Sequence, residues 1–144
     1  MKRTDPPIIV EVIVSANKVD IWNAITYRDT MIQWYFDNIP EFEPIVGFTT
    51  QFPVVSGDRT FTHIWKVTEV NPGSGITYEW TYREYPGKAA VTFNILDSGG
   101  SFTMRLTNTI LEDFPQDIPE FRRESCKGGW EYFIQGRLKS FLDD

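Results

Sequence analysis

His63 is the only histidine in the chain. An imidazole of ordinary pKa, near ~6.5, is the side chain best suited to moving protons at neutral pH. Without a second histidine a histidine-based metal site is not expected, so no metal is assigned. Two readings stay open: an acid–base group facing a hollow, or a hydrogen-bonded residue near a strand start. Cys126 is likewise the only cysteine, which leaves no disulfide framework and no thiolate cage. Arg123 and Lys127 are near enough in sequence to lower its pKa, but burial on a helix face is the simpler reading. Asp37, Glu41 and Glu43 follow Trp34 in a loop segment. They form either a polar gate or a solvated acidic surface. There is no Gly-x-Ser-x-Gly, and Gly73-x-Gly75 and Gly99-Gly100 stand in turns, so neither is a phosphate cradle. No catalytic residue is assigned and no cofactor is expected.

The elements that must position these groups follow from periodicity. Ile8 to Val14 is a β-branched strand, and Asn17 is the N-cap of a short helix carrying Val19, Ile21, Trp22, Ala24 and Ile25. A second short helix starts at Asp29 or Thr30 and ends at Asn38-Ile39-Pro40. From Gly47 to Ile110 the period is two, interrupted by turn residues. Phe48–Phe52, Thr60–Val70, Ile76–Arg83, Ala89–Leu96 and Phe102–Ile110 then form an antiparallel meander, with Pro86-Gly87 suited to a type II turn. Asp117 with Glu120 resembles a capping box. The helix it would open runs to Leu142, about 25 residues or ~37 Å, and shows Cys126, Trp130, Phe133, Ile134, Leu138 and Phe141 on one face. Gly128-Gly129 inside it implies close packing, a bend or room for a guest, because each glycine costs roughly 1 kcal/mol against alanine. The class is α+β: a curved antiparallel sheet of about six strands around a long C-terminal helix, with two short helices after the first strand.

Composition narrows the function. A chain of 144 residues is one domain, residues 1–144, with a sizeable core. The net charge of −6, without a basic cluster, argues against nucleic acid and anionic membranes as partners. No run approaches the ~20 apolar residues of a membrane span, so membrane insertion is not expected. Met1–Pro7 opens with charges, but the apolar run after it is short and broken by Glu11. The expectation is a cytoplasmic protein without a leader.

Several motifs in order resemble one family. Val19-Asp20-Ile21-Trp22-Asn23-Ala24-Ile25-Thr26 precedes Ile32-Gln33-Trp34-Tyr35-Phe36. Trp65-Lys66-Val67-Thr68-Glu69-Val70 precedes Thr77-Tyr78-Glu79-Trp80, and Val91-Thr92-Phe93 precedes Gly129-Trp130 and Leu138. This series resembles the START-like (Bet v 1-like) superfamily, in the branch named for the activator of the heat-shock protein 90 ATPase. The resemblance implies a helix-grip fold with a cavity between sheet and helix. It implies binding of lipids, sterols, polyketides or other apolar molecules, with some members enzymes such as cyclases and others co-chaperones.

Strand alternation puts the bulky residues on the face that meets the helix. The candidate cavity residues are Trp34, Phe48, Phe61, His63, Trp65, Tyr78, Trp80, Tyr82, Phe93, Met104, Trp130, Phe133 and Ile134. Alternation sends Glu69, Glu79 and Arg105 to the other face. A filled aromatic core and a ligand-sized hollow both fit this pattern. The polar tips of His63, Tyr78, Tyr82 and Asn108 favour the hollow, since each unpaired buried group costs roughly 1–3 kcal/mol. The leading function is binding a small apolar or aromatic molecule. A chaperone-cofactor or other protein-interaction module and a cyclase or hydratase using His63 are the alternatives, and the chain is a monomer or a homodimer through an edge at Ile8–Val14 or at the meander's end.

Overall fold

The computed structural model describes residues 1–143. Strand β1 (Ile8–Val14) buries Ile8, Val10 and Val14 and exposes Ile9 and Ile13. Helix α1 (Lys18–Thr26) starts where the Asn17 side chain accepts a hydrogen bond from the Asp20 amide at 2.8 Å. Helix α2 (Arg28–Trp34) follows and buries Met31 and Trp34. Strands β2 (Thr49–Ser56), β3 (Arg59–Asn71), β4 (Gly75–Tyr82), β5 (Lys88–Asp97) and β6 (Phe102–Glu112) form the meander.

The strands form one antiparallel sheet in the order β1-β6-β5-β4-β3-β2. The edges are therefore β1 and β2. The meander's end, expected as an edge, is interior, because β1 pairs along β6 from Ile8↔Asn108 to Val14↔Phe102. A register shift between Val67 and Glu69 interrupts β3, and such a bulge increases local twist.

After β6 the chain makes a 3-10 turn, Pro119–Phe121, and only then enters α3 (Arg123–Glu131). The expected Asp117–Glu120 cap does not form. Glu120 instead accepts hydrogen bonds from Ser56 Oγ at 2.9 Å and Arg59 at 3.4 Å. The helix continues without a break through a π-helical segment, Tyr132–Leu138, into α4 (Lys139–Asp143), 21 residues in all. It is shorter at its start than the sequence pattern implied. The wider turn of the π segment falls where Phe133, Ile134 and Leu138 face the sheet, and π segments recur at functional sites. A Cβ on Gly128 or Gly129 would meet nothing within 4 Å, so close packing does not explain these glycines.

No helix among the described residues is long and apolar enough to cross a membrane. Asp37, Glu41 and Glu43 are exposed on their loop, while Ile39 and Phe42 of the same segment are buried.

Candidate functional site

The space between sheet and helix is filled at one end and hollow at the other. At the filled end Trp34 stacks on Tyr35 with centroids 4.5 Å apart, and Tyr35 stacks on Trp65 at 5.3 Å. Trp65 reaches Tyr78 at 4.8 Å, and Phe93 meets Trp34 edge-on. The phenol oxygens of Tyr35 and Tyr78 are 2.8 Å apart and bond each other, so each buried hydroxyl has a partner. Burial raises the pKa of both, and they stay protonated.

At the other end lies a cavity of about 170 Å³. Its floor crosses four strands: His63 of β3, Trp80 and Tyr82 of β4, Ala89 and Val91 of β5, and Asn108 of β6. Its roof is the helix, through Ser125, Cys126, Gly129, Trp130 and Phe133. Phe36, Phe114, Phe121, Met1 and Glu120 line its sides, and it opens to solvent. Gly129 is exposed and is also one of the residues lining the cavity.

Of the thirteen residues expected around a cavity, His63, Trp80, Tyr82, Trp130 and Phe133 are brought together on this one. Trp34, Trp65, Tyr78, Phe93, Met104 and Ile134 are instead core residues, each 1% exposed or less. Phe48 packs edge-on to Phe42, and Phe61 packs behind the wall against Phe121 and Tyr85. The five of these that stand on strands, Phe61, Trp65, Tyr78, Phe93 and Met104, face inward as alternation requires, but neighbouring side chains occupy the space beside them. Sequence reasoning missed Phe36, Phe114 and Phe121. Phe36 and Phe114 leave irregular segments and Phe121 a single 3-10 turn, where no periodicity marks the inward side.

The polar atoms of the cavity have defined states. His63 Nδ1 lies 3.0 Å from the Phe61 carbonyl oxygen. A carbonyl only accepts, so Nδ1 carries the hydrogen and Nε2 presents a lone pair. The ring stacks on Phe52 at 5.1 Å and meets Phe36, Trp80 and Tyr82 at 4.8–4.9 Å. Removal from water pushes its pKa down to about 4, so the ring is neutral at pH 7. Nε2 bonds no described residue, and the ring lines the cavity. Burial holds the Tyr82 phenol protonated against the opposing effect of the neighbouring Trp80 indole N–H, and its O–H is free.

On the far wall Asn108 Nδ2 donates to Cys126 Sγ at 3.1 Å, leaving Oδ1 buried without a partner. Among the described residues the only other such atom is Trp65 Nε1, in the filled end. Burial pushes the Cys126 thiol up to about 11, so it is an S–H at neutral pH and a poor nucleophile. Among the described residues no group of three or more His, Cys, Asp or Glu side chains converges as a metal site. The arrangement can exclude water, stack on a flat ring and form a few hydrogen bonds.

The model of the Activator of Hsp90 ATPase homolog 1-like protein family matches residues 15–143. No curated protein sequence registers as similar. Solved structures similar to this chain include a protein from Chromobacterium violaceum, with TM-score 0.78 and 16% identity over 96% of this chain and 97% of that one. The Aha1 dimer from Colwellia psychrerythraea gives TM-score 0.74 and 18% identity over 96% and 97%. DynU16, encoded in the dynemicin biosynthetic locus, gives TM-score 0.73 and 22% identity over 96% of this chain. This chain spans 47% of DynU16. The chain belongs to the Activator of Hsp90 ATPase homolog 1-like family, within the START-like superfamily, and has its helix-grip fold.

Proposed function

We propose that this protein reversibly binds a small, uncharged, ring-shaped apolar molecule in the cavity between β3–β6 and the C-terminal helix. The single observation that carries this reading is a hollow of about 170 Å³ beside an aromatic core that is otherwise closely filled. Interiors normally leave few voids larger than a water molecule. An apolar cavity of ~150 Å³ is enough to hold benzene. The volume admits one ring or two fused rings and excludes sterols and long-chain lipids, whose sites fall within or above the usual ~300–1,000 Å³.

Charge supports a neutral guest. No lysine or arginine borders the cavity, and the two charged groups at its side are already engaged, the Met1 ammonium with the Phe121 carbonyl and the Glu120 carboxylate with Ser56 and Arg59. Binding without covalent chemistry fits a protonated thiol and tyrosines held as phenols. The setting proposed for such a binder is the cytoplasm.

Isothermal titration with toluene, naphthalene and pyrene tests the reading. Saturable binding of toluene and naphthalene, with pyrene excluded, is the expected outcome. Absence of binding by all three, or tightest binding by pyrene, contradicts it.

A further inference from the structure

The cavity is not chemically uniform: its polar atoms are concentrated where β3 and β4 meet. His63 and Tyr82 are direct cross-strand partners with ring centroids 4.8 Å apart. The imidazole offers only a lone pair there, because its one N–H is committed to the Phe61 carbonyl. The phenol oxygen faces the Trp80 indole N–H, which can only donate, so the phenol keeps its own O–H to offer. Neither the Nε2 lone pair nor the Tyr82 O–H is bonded to a described residue, and both side chains line the cavity. A ketone or aldehyde would accept from Tyr82 and leave the imidazole nitrogen unpaired. A hydrocarbon would leave both unpaired. A hydroxyl group satisfies both at once, donating to the nitrogen while accepting from the phenol.

Resting on the binding reading above, we propose that the physiological ligand is a hydroxylated aromatic of the phenol or naphthol class. Its O–H donates to His63 Nε2 and its oxygen accepts from Tyr82 Oη. The ring then lies against the cavity-facing sides of Trp80 and Trp130, which touch each other edge to face, with Phe133 and Phe36 around it. The phenol is taken up protonated, because the imidazole it meets is neutral and the one ammonium at the cavity's side, that of Met1, is bonded to the Phe121 carbonyl.

The test is a calorimetric comparison of p-cresol, benzaldehyde and ethylbenzene, probes of equal heavy-atom count that offer a hydroxyl, an acceptor alone and neither. One net hydrogen bond is worth about a tenfold gap in affinity. The expected result is p-cresol binding about tenfold tighter than ethylbenzene and several-fold tighter than benzaldehyde. His63→Phe collapses the p-cresol-to-ethylbenzene ratio toward one, and Tyr82→Phe reduces it. The ratio reports recognition rather than folding, so a merely structural role for His63 leaves it unchanged. Equal binding of p-cresol and ethylbenzene to the wild type overturns the hydroxyl proposal while leaving the binding reading intact. Failure of all three to bind overturns both.

Discussion

Ala89→Leu is the perturbation that most sharply separates a hollow from a core. Ala89 is 4% exposed, faces inward from β5, and borders the cavity opposite the helix. Leucine adds three carbons at that point. If they enter empty space, burial contributes about 0.8 kcal/mol per carbon, or ~2.4 kcal/mol before costs. Ordering the leucine side chain takes back about 0.5–1 kcal/mol. The net gain is about 1.5–2 kcal/mol, and at about 2–4 °C per kcal/mol the Tm rises by roughly 3–8 °C. The assay pairs thermal unfolding with calorimetric titration of toluene. The variant should be more stable than wild type and should have lost at least about tenfold in toluene affinity. If the space is already packed, the added carbons force strain costing about 1–3 kcal/mol and the Tm falls. A fall in Tm with unchanged toluene affinity would refute the reasoning.

Three further outcomes follow from particular contacts. Tyr35→Phe leaves the buried Tyr78 hydroxyl without its partner and should cost about 1–3 kcal/mol in denaturant unfolding. Adding Tyr78→Phe should recover part of that loss, giving a positive coupling in a double-mutant cycle. His63 titrates near 6.5 when unfolded but near 4 when folded, so between those values the unfolded state binds the extra proton. Its contribution is full above pH 6.5 and declines as pH falls toward 4. By then about 3 kcal/mol is lost. Stability curves of wild type and His63→Phe should diverge in that window and run parallel above it. Gly87 has φ +118°, and a Cβ there would sit 2.3 Å from Phe114 Cδ1. Gly87→Ala should therefore lower stability by about 2 kcal/mol and displace Phe114 from the cavity wall, seen as weaker toluene binding.

The sequence carried the element order because its periodicity is strong: the two-residue alternation from Thr49 to Ile110 places His63, Trp65, Trp80 and Phe93 on the inward face without ambiguity. Asn17 also acts as the cap its type suggests. The start of the C-terminal helix was misread because Asp117 and Glu120 fit a local rule, whereas Ser56 and Arg59, over sixty residues away, bind Glu120. The cavity was only partly legible. Alternation tells which way a side chain points, but emptiness depends on what stands opposite it. Tyr35 and Phe42 arrive from α2 and the following loop to fill the space beside Trp65 and Tyr78. No equivalent ring enters between Ala89 and Gly129, and those two small residues were the available signal.

The most direct test is an NMR titration of the indole N–H signals with toluene. Trp80 and Trp130 border the cavity, Trp34 and Trp65 lie in the filled end, and Trp22 lies on α1 away from it. The account predicts saturable shifts at Trp80 and Trp130, smaller ones at Trp65 through its contact with Trp80, and none at Trp22. No movement at Trp80 and Trp130, or linear drift of every indole without saturation, would contradict it.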